Sequence, residues 1–579
     1  MGRSNKEVQG LLQEYADLIA ITGGDAFKAR AYEKAARAIG DYPEDISQLD
    51  VKGLQAIPGV GRSIAEKVME YRRRGVVSDI EKVRAKIPAG VRELIAIPTL
   101  GPRKAKQLHD ELGISSVAEL DQAIREHRLR DLKGFGPRSE ENFRHGIELM
   151  SASGGRVPVH VAMDLAEDVV AALSEVPGCE KCTYAGSLVR MKETIGDVDV
   201  LAASRSPRRL MAAFTSLPYV TEVVASGETK ATVRTSRAGL QVDLRVLHPD
   251  SWGAGLLYFT GSKAHNIRVR ELALRHGYKL SEYGLFDAES GRRIASRSER
   301  DVYARLDLPW IPPTLREDRG EVEAALDGEL PQVVTERDIR GDLHTHTDLT
   351  DGLGSLEDMV DAAAARGYAY YAVTDHAPNL FMQRMTDEKM LAQREQLHRL
   401  QSRHRRLHLL HGAELNIDPD GGVDWPADFL EHFDLCVASV HSHFRLDRAA
   451  MTRRLVRACE NPYVTVIGHP TGRKIGSREG IDVDLDEVFA ACARTGTALE
   501  INAHPDRLDL SDEHILHARR HGVKFAVNSD AHSVLNLAAM RYGVATAQRG
   551  WLTPDDVINT WPLRRLRQFV QRKRARQPA

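Results

Sequence analysis

The chain has 579 residues, a formal net charge of −2, 42% hydrophobic and 28% charged residues, and five cysteines, which suggests roughly four globular domains of about 150 residues each. No run of about 18 apolar residues is present to span a membrane, and the N-terminal MGRSNKEVQG carries no apolar core ahead of a cleavage site, which argues against secretion. The cysteines are too few for a disulfide framework and fit a reducing cytoplasm, and with so little net charge any nucleic-acid binding must rest on local basic patches and backbone donors.

Residues 1–150 read as short amphipathic helices, VQGLLQEYADLIAI and AFKARAYEKAARAIG among them. Three segments in this region repeat one pattern: LQAIPGVGRSIAEKV, LIAIPTLGPRKAKQL and LRDLKGFGPRSEENF. Each runs apolar residue, turn, apolar residue, glycine, helix start, which resembles the helix-hairpin-helix, a sequence-independent binder of the DNA backbone. Gly59 and Gly61, then Gly101, then Gly134 and Gly136, let backbone N–H groups approach a phosphate at the following helix N-terminus. The second copy departs, with Thr99 in the first glycine position. An ordinary helix-to-helix turn explains one such copy, but not three at spacings of 40 and 35 residues. Lys67 lies on the helix after the first hairpin. A lysine there is a solvated charge, a phosphate contact or, if partly desolvated, a Schiff-base nucleophile, and the spacing alone does not choose.

From about 155 to 250 short β-like runs (VDVLAA, TEVVAS, LQVDLRVL) alternate with helices, an α+β or α/β signature. Cys179 and Cys182 form a single C-x-x-C with no second pair at zinc spacing, and simply begin a strand. Asp197 and Asp199, two apart on a strand, point to one face. Asp243 on a later strand completes a carboxylate cluster that could hold two Mg²⁺ and align a hydroxyl with a triphosphate. Gly186-Ser187, ten residues ahead of Asp197, could cradle phosphate, with Arg190 adding charge. Residues 251–317 form a smaller unit, and the charged stretch near 316–340 reads as a linker.

From 341 onward apolar strands (YYAVTDH, LHLLHGAEL, DLCVASVHS, VTVIGHP, TALEINA, KFAVNSDAH) alternate with helices, the rhythm of parallel βαβ units closing into a barrel. His344, His346, Asp351, His376, Glu414, His441, His469, Asp530 and His532 mostly sit at or just after strand ends, so a barrel brings them to one rim. Oxygen and nitrogen ligands without cysteine favour Mn²⁺, Zn²⁺ or Fe. The tail LRRLRQFVQRKRARQPA is basic and expected to fray.

Gly-Ser-x9-Asp-x-Asp resembles the nucleotidyltransferase superfamily, and YFTGSKAHNIRVR resembles the nucleotide pocket of family X DNA polymerases. That resemblance implies that Tyr258 and Phe259 line the sugar pocket beside Gly261 and Ser262, that Asn266 meets the edge of the nascent base pair, and that Arg270 contacts the template side. It also implies a deoxyribose-phosphate lyase region with Lys67 in the Schiff-base position. Ser63 stands where strong lyases carry a second lysine. The histidine-rich half resembles the PHP (polymerase and histidinol phosphatase) domain, a distorted (β/α)7 barrel with a trinuclear metal site, and all nine ligand positions are filled. His443 lies outside that pattern as a substrate contact.

The chain is thus identified as a member of the bacterial family X DNA polymerases with a fused PHP domain. The expected layout is a multidomain one: a helical lyase-like DNA-binding domain at 1–80, a second helix-hairpin-helix subdomain at 81–152, an α+β nucleotidyltransferase palm at 153–250, a thumb-like α+β nucleotide-selection subdomain at 251–317, a linker at 318–340 and the phosphoesterase barrel at 341–575. The expected activity is gap-filling repair synthesis with Mg²⁺, joined to a 3′-5′ exonuclease using two or three Mn²⁺ or Zn²⁺ ions. Its expected partners are gapped or nicked DNA and deoxynucleoside triphosphates, with no membrane, and the protein is expected to be a monomer in the cytoplasm at the nucleoid. Alternatives are a PHP domain that is structural, a 3′-phosphatase or an abasic-site endonuclease; a DNA-end scaffold with a dormant polymerase site; and a small-molecule phosphatase joined to a nucleotidyltransferase. The filled ligand set argues against a merely structural PHP domain, the three aspartates with YFTGS against the scaffold, and the three hairpins against the small-molecule phosphatase; 3′-phosphatase and abasic-site activity stay open.

Overall fold

The computed structural model describes residues 5–22, 25–40, 42, 45–84, 87, 91, 94–95, 97, 100–152, 155–380 and 385–575. The N-terminal region is helical, and its core gathers Leu12, Tyr15, Tyr32, Leu54, Val68, Leu108, Leu120 and Phe143. The three repeated segments adopt one turn. Val60, Leu100 and Phe135 donate their backbone N–H groups to Ile57, Ile97 and Leu132 at 3.0, 3.1 and 3.0 Å. Gly59 and Gly134 take left-handed φ values of +84° and +86°, which a side chain at either position would oppose; Thr99 lies outside the described residues. Gly61 and Gly101 stand as N-caps of the helices Arg62–Arg74 and Pro102–Leu112, and Gly136 directly precedes Pro137–Ala152.

The middle of the chain builds a five-stranded sheet in the order Lys181–Tyr184, Asp197–Ala203, Gln241–Leu247, Lys230–Thr235, Val220–Ser226. The Asp197 and Gln241 strands pair in parallel and set Asp199 opposite Asp243. Along the Asp197 strand Val198, Val200 and Ala202 are buried under the helices Val159–Ser174 and Pro207–Thr215, so the alternation of the strand leaves Asp197 and Asp199 on the other, wetter face. Cys182 lies in the first strand, and burial pushes its thiol up to about 12.

Residues 252–304 form helices Trp252–Thr260, Lys263–Arg275 and Glu299–Ala304 beside a three-stranded antiparallel sheet. Gly253 is there because the chain passes close: a Cβ would lie 2.2 Å from the Ser298 backbone. The stretch 318–340, expected as a linker, is packed. Its helix Glu321–Leu326 buries Val322 and Ala325, and the Glu321 carboxylate meets His265 Nδ1 at 2.6 Å in full burial. Most of the charges in the stretch are exposed, but Glu321 is turned inward. Arg316 is fully buried, salt-bridged to Glu299 and donating to Ile311 O at 2.9 Å.

The carboxy-terminal sheet has seven parallel strands in chain order, Gly341–Asp342, Tyr370–Val373, His408–Asn416, Leu435–Ser439, Val464–Ile467, Ala498–Asn502 and Phe525–Asn528. A parallel bridge from Thr345 to Ala531 joins the first to the last, so the barrel nearly closes. Helices pack on its outside in one apolar layer, and Leu343, Leu410, Val437, Val466 and Ala526 fill its inside. The tail differs from the frayed end expected. Leu563–Arg574 is a helix whose Leu566 and Val570 bury beside Trp561 against the barrel interior, while Lys573 donates to Cys459 O and Arg574 to Phe433 O. Its apolar residues fall at helical spacing, and that stripe outweighs the repulsion among the basic ones.

Charged side chains join these bodies. Arg549, 4% exposed, reaches Glu317 at 2.9 Å, Asp512 at 2.7 Å and the Arg190 carbonyl at 2.8 Å. Arg473 bonds Glu193 at 2.7 Å. Leu353 packs against the N-terminal core, and Arg445 donates to Asn142 at 3.0 Å. Among the described residues no helix is long and apolar enough to cross a membrane. Removing one partner from a buried ion pair costs about 3–5 kcal/mol. Arg549→Ala, which leaves Glu317 to Arg190 and Asp512 to Arg319 alone, is therefore expected to lower the calorimetric melting temperature by several degrees; an unchanged melting profile would contradict the clamp.

Candidate metal centre and palm site

All nine ligand positions named from sequence meet at one rim of the barrel. His344 and His346 follow the first strand, His376 the second, His441 the fourth, His469 the fifth, and Asp530 with His532 the seventh; Glu414 stands near the end of the third. Glu414, 1% exposed, lies at the middle. Its carboxylate sits 2.9 Å from His376 Nδ1, 3.1 Å from both His441 Nε2 and His469 Nε2, 3.4 Å from His344 Nε2 and 3.6 Å from His346 Nε2. Asp530 approaches His346 at 3.2 Å, and Asp351 approaches His376 at 3.3 Å and His532 at 3.4 Å. The atoms divide into three overlapping groups: His346, Asp351, His376 and His532; His344, His346 and Asp530; His376, Glu414 and His441.

The residues fit metal ions. His344 Nε2, both ring nitrogens of His346, His376 Nδ1 and Asp351 Oδ1 are shielded from solvent with no hydrogen-bond partner, and a buried polar atom left so is costly unless something binds it. Burial works to keep Glu414 and Asp530 neutral, but the imidazoles around them outweigh it and hold both well below the usual carboxylate range. Against burial, the carboxylates push His376 up to about 10 and raise His344 and His532. His469 is depressed to about 4 by burial and by Arg507. Hard oxygen and borderline imidazole donors in this mixture suit Mn²⁺ or Zn²⁺.

A second layer of side chains orients the first. Glu500, fully buried, accepts from His344 Nδ1 at 2.7 Å, from the His469 backbone N–H at 2.7 Å and from Asn528 and Asn502 at 2.9 and 3.1 Å. His441 Nδ1 lies 2.7 Å from Asn416 Oδ1, and His532 Nδ1 lies 2.8 Å from the Asp530 carbonyl. With Nδ1–H spent in this way, each of these rings turns its Nε2 lone pair inward. Asp375 braces the loop that carries Asp351, accepting from Thr347 N at 2.9 Å and Thr347 Oγ1 at 2.6 Å. Sequence reading missed Glu500 and Asp375. Their signal was a carboxylate inside a strand or at its end, in ALEIN and AVTDH, with no obvious charge partner nearby in the chain. His443 is exposed, with its Nδ1 3.0 Å from Ser442 Oγ.

On the palm, Asp243 accepts from Gln241 Nε2 at 2.7 Å and from Thr232, and Lys230 lies at 3.8 Å. Burial, then the like charges of Asp197 and Asp243, push Asp199 up to about 6. Such a cluster is stable as three carboxylates only beside cations. Gly186 is left-handed at +63°, and a Cβ there would stand 2.1 Å from Asp199 Oδ2, so glycine makes room for the carboxylate. Ser187 follows it in the short helix Gly186–Val189. The Arg190 guanidinium, 11% exposed, is held by Glu317 at 3.0 Å and the Thr260 carbonyl at 2.9 Å, joining palm to thumb, and its charge still bears on Asp199.

Tyr258 and Phe259 pack edge to face with centroids 5.1 Å apart, and Arg245 lies over Phe259 at 5.3 Å. Asn266 donates to Tyr258 O at 2.6 Å and Gly261 O at 3.2 Å. It thereby fixes the turn at Gly261-Ser262, where Ser262 caps the next helix; Arg270 is exposed. In the N-terminal region Lys67 is 14% exposed, 3.2 Å from Asp79 and 3.3 Å from Ser63 Oγ. Burial alone would lower its pKa, but Tyr32 and Asp79 outweigh that and raise it. Lys28 lies over the Tyr15 ring at 5.6 Å. At Gly61, Gly101 and Gly136 an added Cβ would meet nothing within 4 Å; the space before each helix start is open to something outside the protein.

Comparison with known proteins agrees with this layout. Residues 3–77 match a helix-hairpin-helix domain family, 91–142 a SAM-like helix-hairpin-helix tandem, 255–317 the DNA polymerase beta thumb and 342–504 the PHP domain. The chain is 34% identical over 569 residues to a DNA polymerase/3′-5′ exonuclease PolX of Bacillus subtilis (strain 168), covering 98% of this chain and 99% of that one. It is 28% identical over 322 residues to DNA polymerase lambda of Rattus norvegicus, covering 51% and 53% of the two chains. It is also 28% identical over 245 residues to a probable phosphatase of Thermoanaerobacter sp. (strain X514), covering 40% of this chain and 95% of that one.

Outer-sphere partners of metal-bound histidines typically contribute about 10–100-fold in metal affinity. Glu500→Gln, near in size but placing an amide donor against the His469 N–H and the two asparagines, is expected to weaken Mn²⁺ binding on that scale by titration calorimetry. Wild-type affinity in the variant would show that Glu500 does not orient His344.

Proposed function

The chain belongs to the family X DNA polymerases that carry a C-terminal PHP domain, enzymes that join DNA-directed synthesis to a 3′-5′ exonuclease, and from that premise we propose that it fills short gaps at the palm and trims 3′ ends at the barrel rim. The observation that carries the reading is the coexistence of two separate ligand sets, Asp197, Asp199 and Asp243 in one domain and the nine-residue set around Glu414 in another.

At the palm, Asp197, Asp199 and Asp243 would hold the cations, which would align primer and triphosphate. Bound Mg²⁺ would neutralise developing phosphate charge and lower the pKa of the primer hydroxyl. Gly186 and Ser187 border the aspartates on the triphosphate side. Asn266 and Gly261 set the Tyr258–Phe259 pair beside the sugar, and Arg270, exposed and donating from Nε to the Asn266 carbonyl at 3.3 Å, would meet the template. The open helix starts at Gly61, Gly101 and Gly136 hold the DNA backbone by N–H groups, without regard to sequence. Such contacts to both flanks of a lesion suit gapped DNA, and nothing in the reading requires a second subunit.

At the barrel rim, Glu414, Asp351, Asp530 and the six imidazoles would hold the ions. Bound Mn²⁺ or Zn²⁺ would supply a nucleophile from water at neutral pH and offset the phosphodiester charge. Three acidic ligands do not cancel the charge of two or three divalent ions, so the loaded centre attracts a DNA strand. The packing of Leu353 and Arg445 against the hairpin region supports delivery of that strand from the DNA grip. The likeness of the PHP half to a probable phosphatase supports 3′-phosphate removal at the same centre as a second reaction.

Two sets of variants test the division of labour. Asp197→Ala or Asp243→Ala is expected to lose primer extension by at least about 10²-fold, the scale of one electrostatic stabiliser, and to keep Mn²⁺-dependent degradation. His346→Ala with Glu414→Ala should do the reverse and lose bound metal; retention of both metal and degradation would overturn the assignment. Lys67 is proposed as the Schiff-base lysine toward a 5′-deoxyribose phosphate. Borohydride is expected to trap a protein–DNA adduct that is absent in Lys67→Ala, and undiminished trapping in that variant would move the role to another lysine.

A further inference from the structure

Two loops beside the metal centre carry cations that the reactions above do not use. Lys474 and Arg478 close a small hairpin after His469, each donating its backbone N–H to the other's carbonyl at 2.8 Å. Arg507 comes from the loop after the sixth barrel strand, and its Nε stands 3.6 Å from Asp530 Oδ2. The loops are fastened together, since Ile475 N–H donates to Asp506 O at 2.7 Å and Arg473 donates to Arg507 O at 3.0 Å. Ile475 packs on the palm core, and Arg473 bonds Glu193 of the palm. The cations are therefore seated on a fixed base at the seam between the two domains.

We propose that Lys474, Arg478 and Arg507 form an anion subsite that holds a backbone phosphate of the strand adjacent to the one cut at the metal centre. The proposal rests on reading that centre as a nuclease. The charges are only partly compensated, with Asp530 beside Arg507 and the carboxylates Asp506 and Asp509 acting on Lys474 and Arg478 respectively. Among the described residues no ion pair or hydrogen bond engages the Lys474 ammonium or pairs Arg478 with a carboxylate, and Asp530, the carboxylate next to Arg507, is already engaged by His346 at 3.2 Å and Asn502 at 2.9 Å. Arg507 Nη1 is shielded from solvent and has no partner. Arg478 is held in orientation rather than neutralised, by a bond from Nε to Gly472 O at 2.7 Å and by the Phe444 ring 4.2 Å below its guanidinium. Burial, then Arg507 and Arg478, lower the Lys474 pKa, and burial, then Arg507, lower that of Arg478. Like charges crowded in this way are relieved by an anion, and guanidinium forks with an ammonium match phosphate oxygens. A diester phosphate is the anion that a strand entering along the palm seam presents there.

The test uses full-length protein carrying Lys474→Gln and Arg478→Gln, which leaves Arg507 beside Asp530 in place. Two Mn²⁺-dependent substrates are compared: a single-stranded oligonucleotide, and bis(p-nitrophenyl) phosphate, a diester with no neighbouring phosphate. On the oligonucleotide, KM is expected to rise about tenfold or more, as loss of charge-assisted contacts implies, with kcat nearly unchanged. The log–log salt dependence of oligonucleotide affinity, read by fluorescence anisotropy, should flatten by about 1.4 for two lost cations. Metal content and turnover of the simple diester should stay at the parent level, and Lys474→Arg with Arg478→Lys should restore KM. Unchanged oligonucleotide KM and salt slope would overturn the subsite; an equal loss on both substrates would move these cations to the scissile phosphate and overturn the adjacent one. If the parent cuts neither substrate, the nuclease reading fails on its own. The anisotropy arm then decides the subsite: weakened affinity in the variant upholds it and unchanged affinity ends it.

Discussion

One buried carboxylate organises the carboxy-terminal half of the molecule. Glu414 is 1% exposed, and five imidazoles lie within 3.6 Å of its oxygens. A carboxylate at that depth would be neutral if left alone; it ionises there only because histidines from the first, second, fourth and fifth strand ends converge on it. Convergence requires closure, and closure is visible in the bridge from Thr345 to Ala531. The short apolar strands, the helical layer outside them and the tail helix that seals the interior all serve to bring distant strand ends to one point. Glu500 and the asparagines then choose which nitrogen each ring presents.

The same construction ties the barrel to the palm. Arg473 lies four residues after His469, and its partner Glu193 lies four residues before Asp197. One ion pair thus connects the loop leaving one ligand set with the loop entering the other. Arg549 and Arg190 repeat the arrangement where palm, thumb and barrel meet, through Glu317 and Asp512. Surface ion pairs contribute little to stability, but the arginines of these pairs are only 4–17% exposed and fix orientation, although Glu193 is 42% exposed. Palm and barrel therefore meet along a defined seam, not across a flexible tether.

Much of this was legible in sequence, for physical reasons. The hairpin repeats show because a left-handed turn needs glycine and a helix start follows at a fixed offset; the Val60, Leu100 and Phe135 turns prove geometrically alike. The nine ligands show because histidines at the ends of apolar strands have few structural uses. Residues whose role depends on a distant partner did not show. The bond from Arg190 to Glu317 did not show because the two lie 127 residues apart. Glu500 looked like a strand carboxylate because its partner His344 lies 156 residues away. The stretch 318–340 and the basic tail looked solvated because composition counts charges without showing which way they face; Glu321 and Lys573 face inward.

The central claim is that one chain carries two metal sites of different character, held on one body. Anomalous diffraction at the manganese edge from crystals soaked in Mn²⁺ tests it most directly. The account predicts two or three peaks within coordination distance of Glu414, Asp351, Asp530 and the six imidazoles, and a separate, weaker peak among Asp197, Asp199 and Asp243. A map with no peak at Glu414 would contradict it, because the buried carboxylate would then be held by protonated histidines alone and the centre would be an ion-pair network.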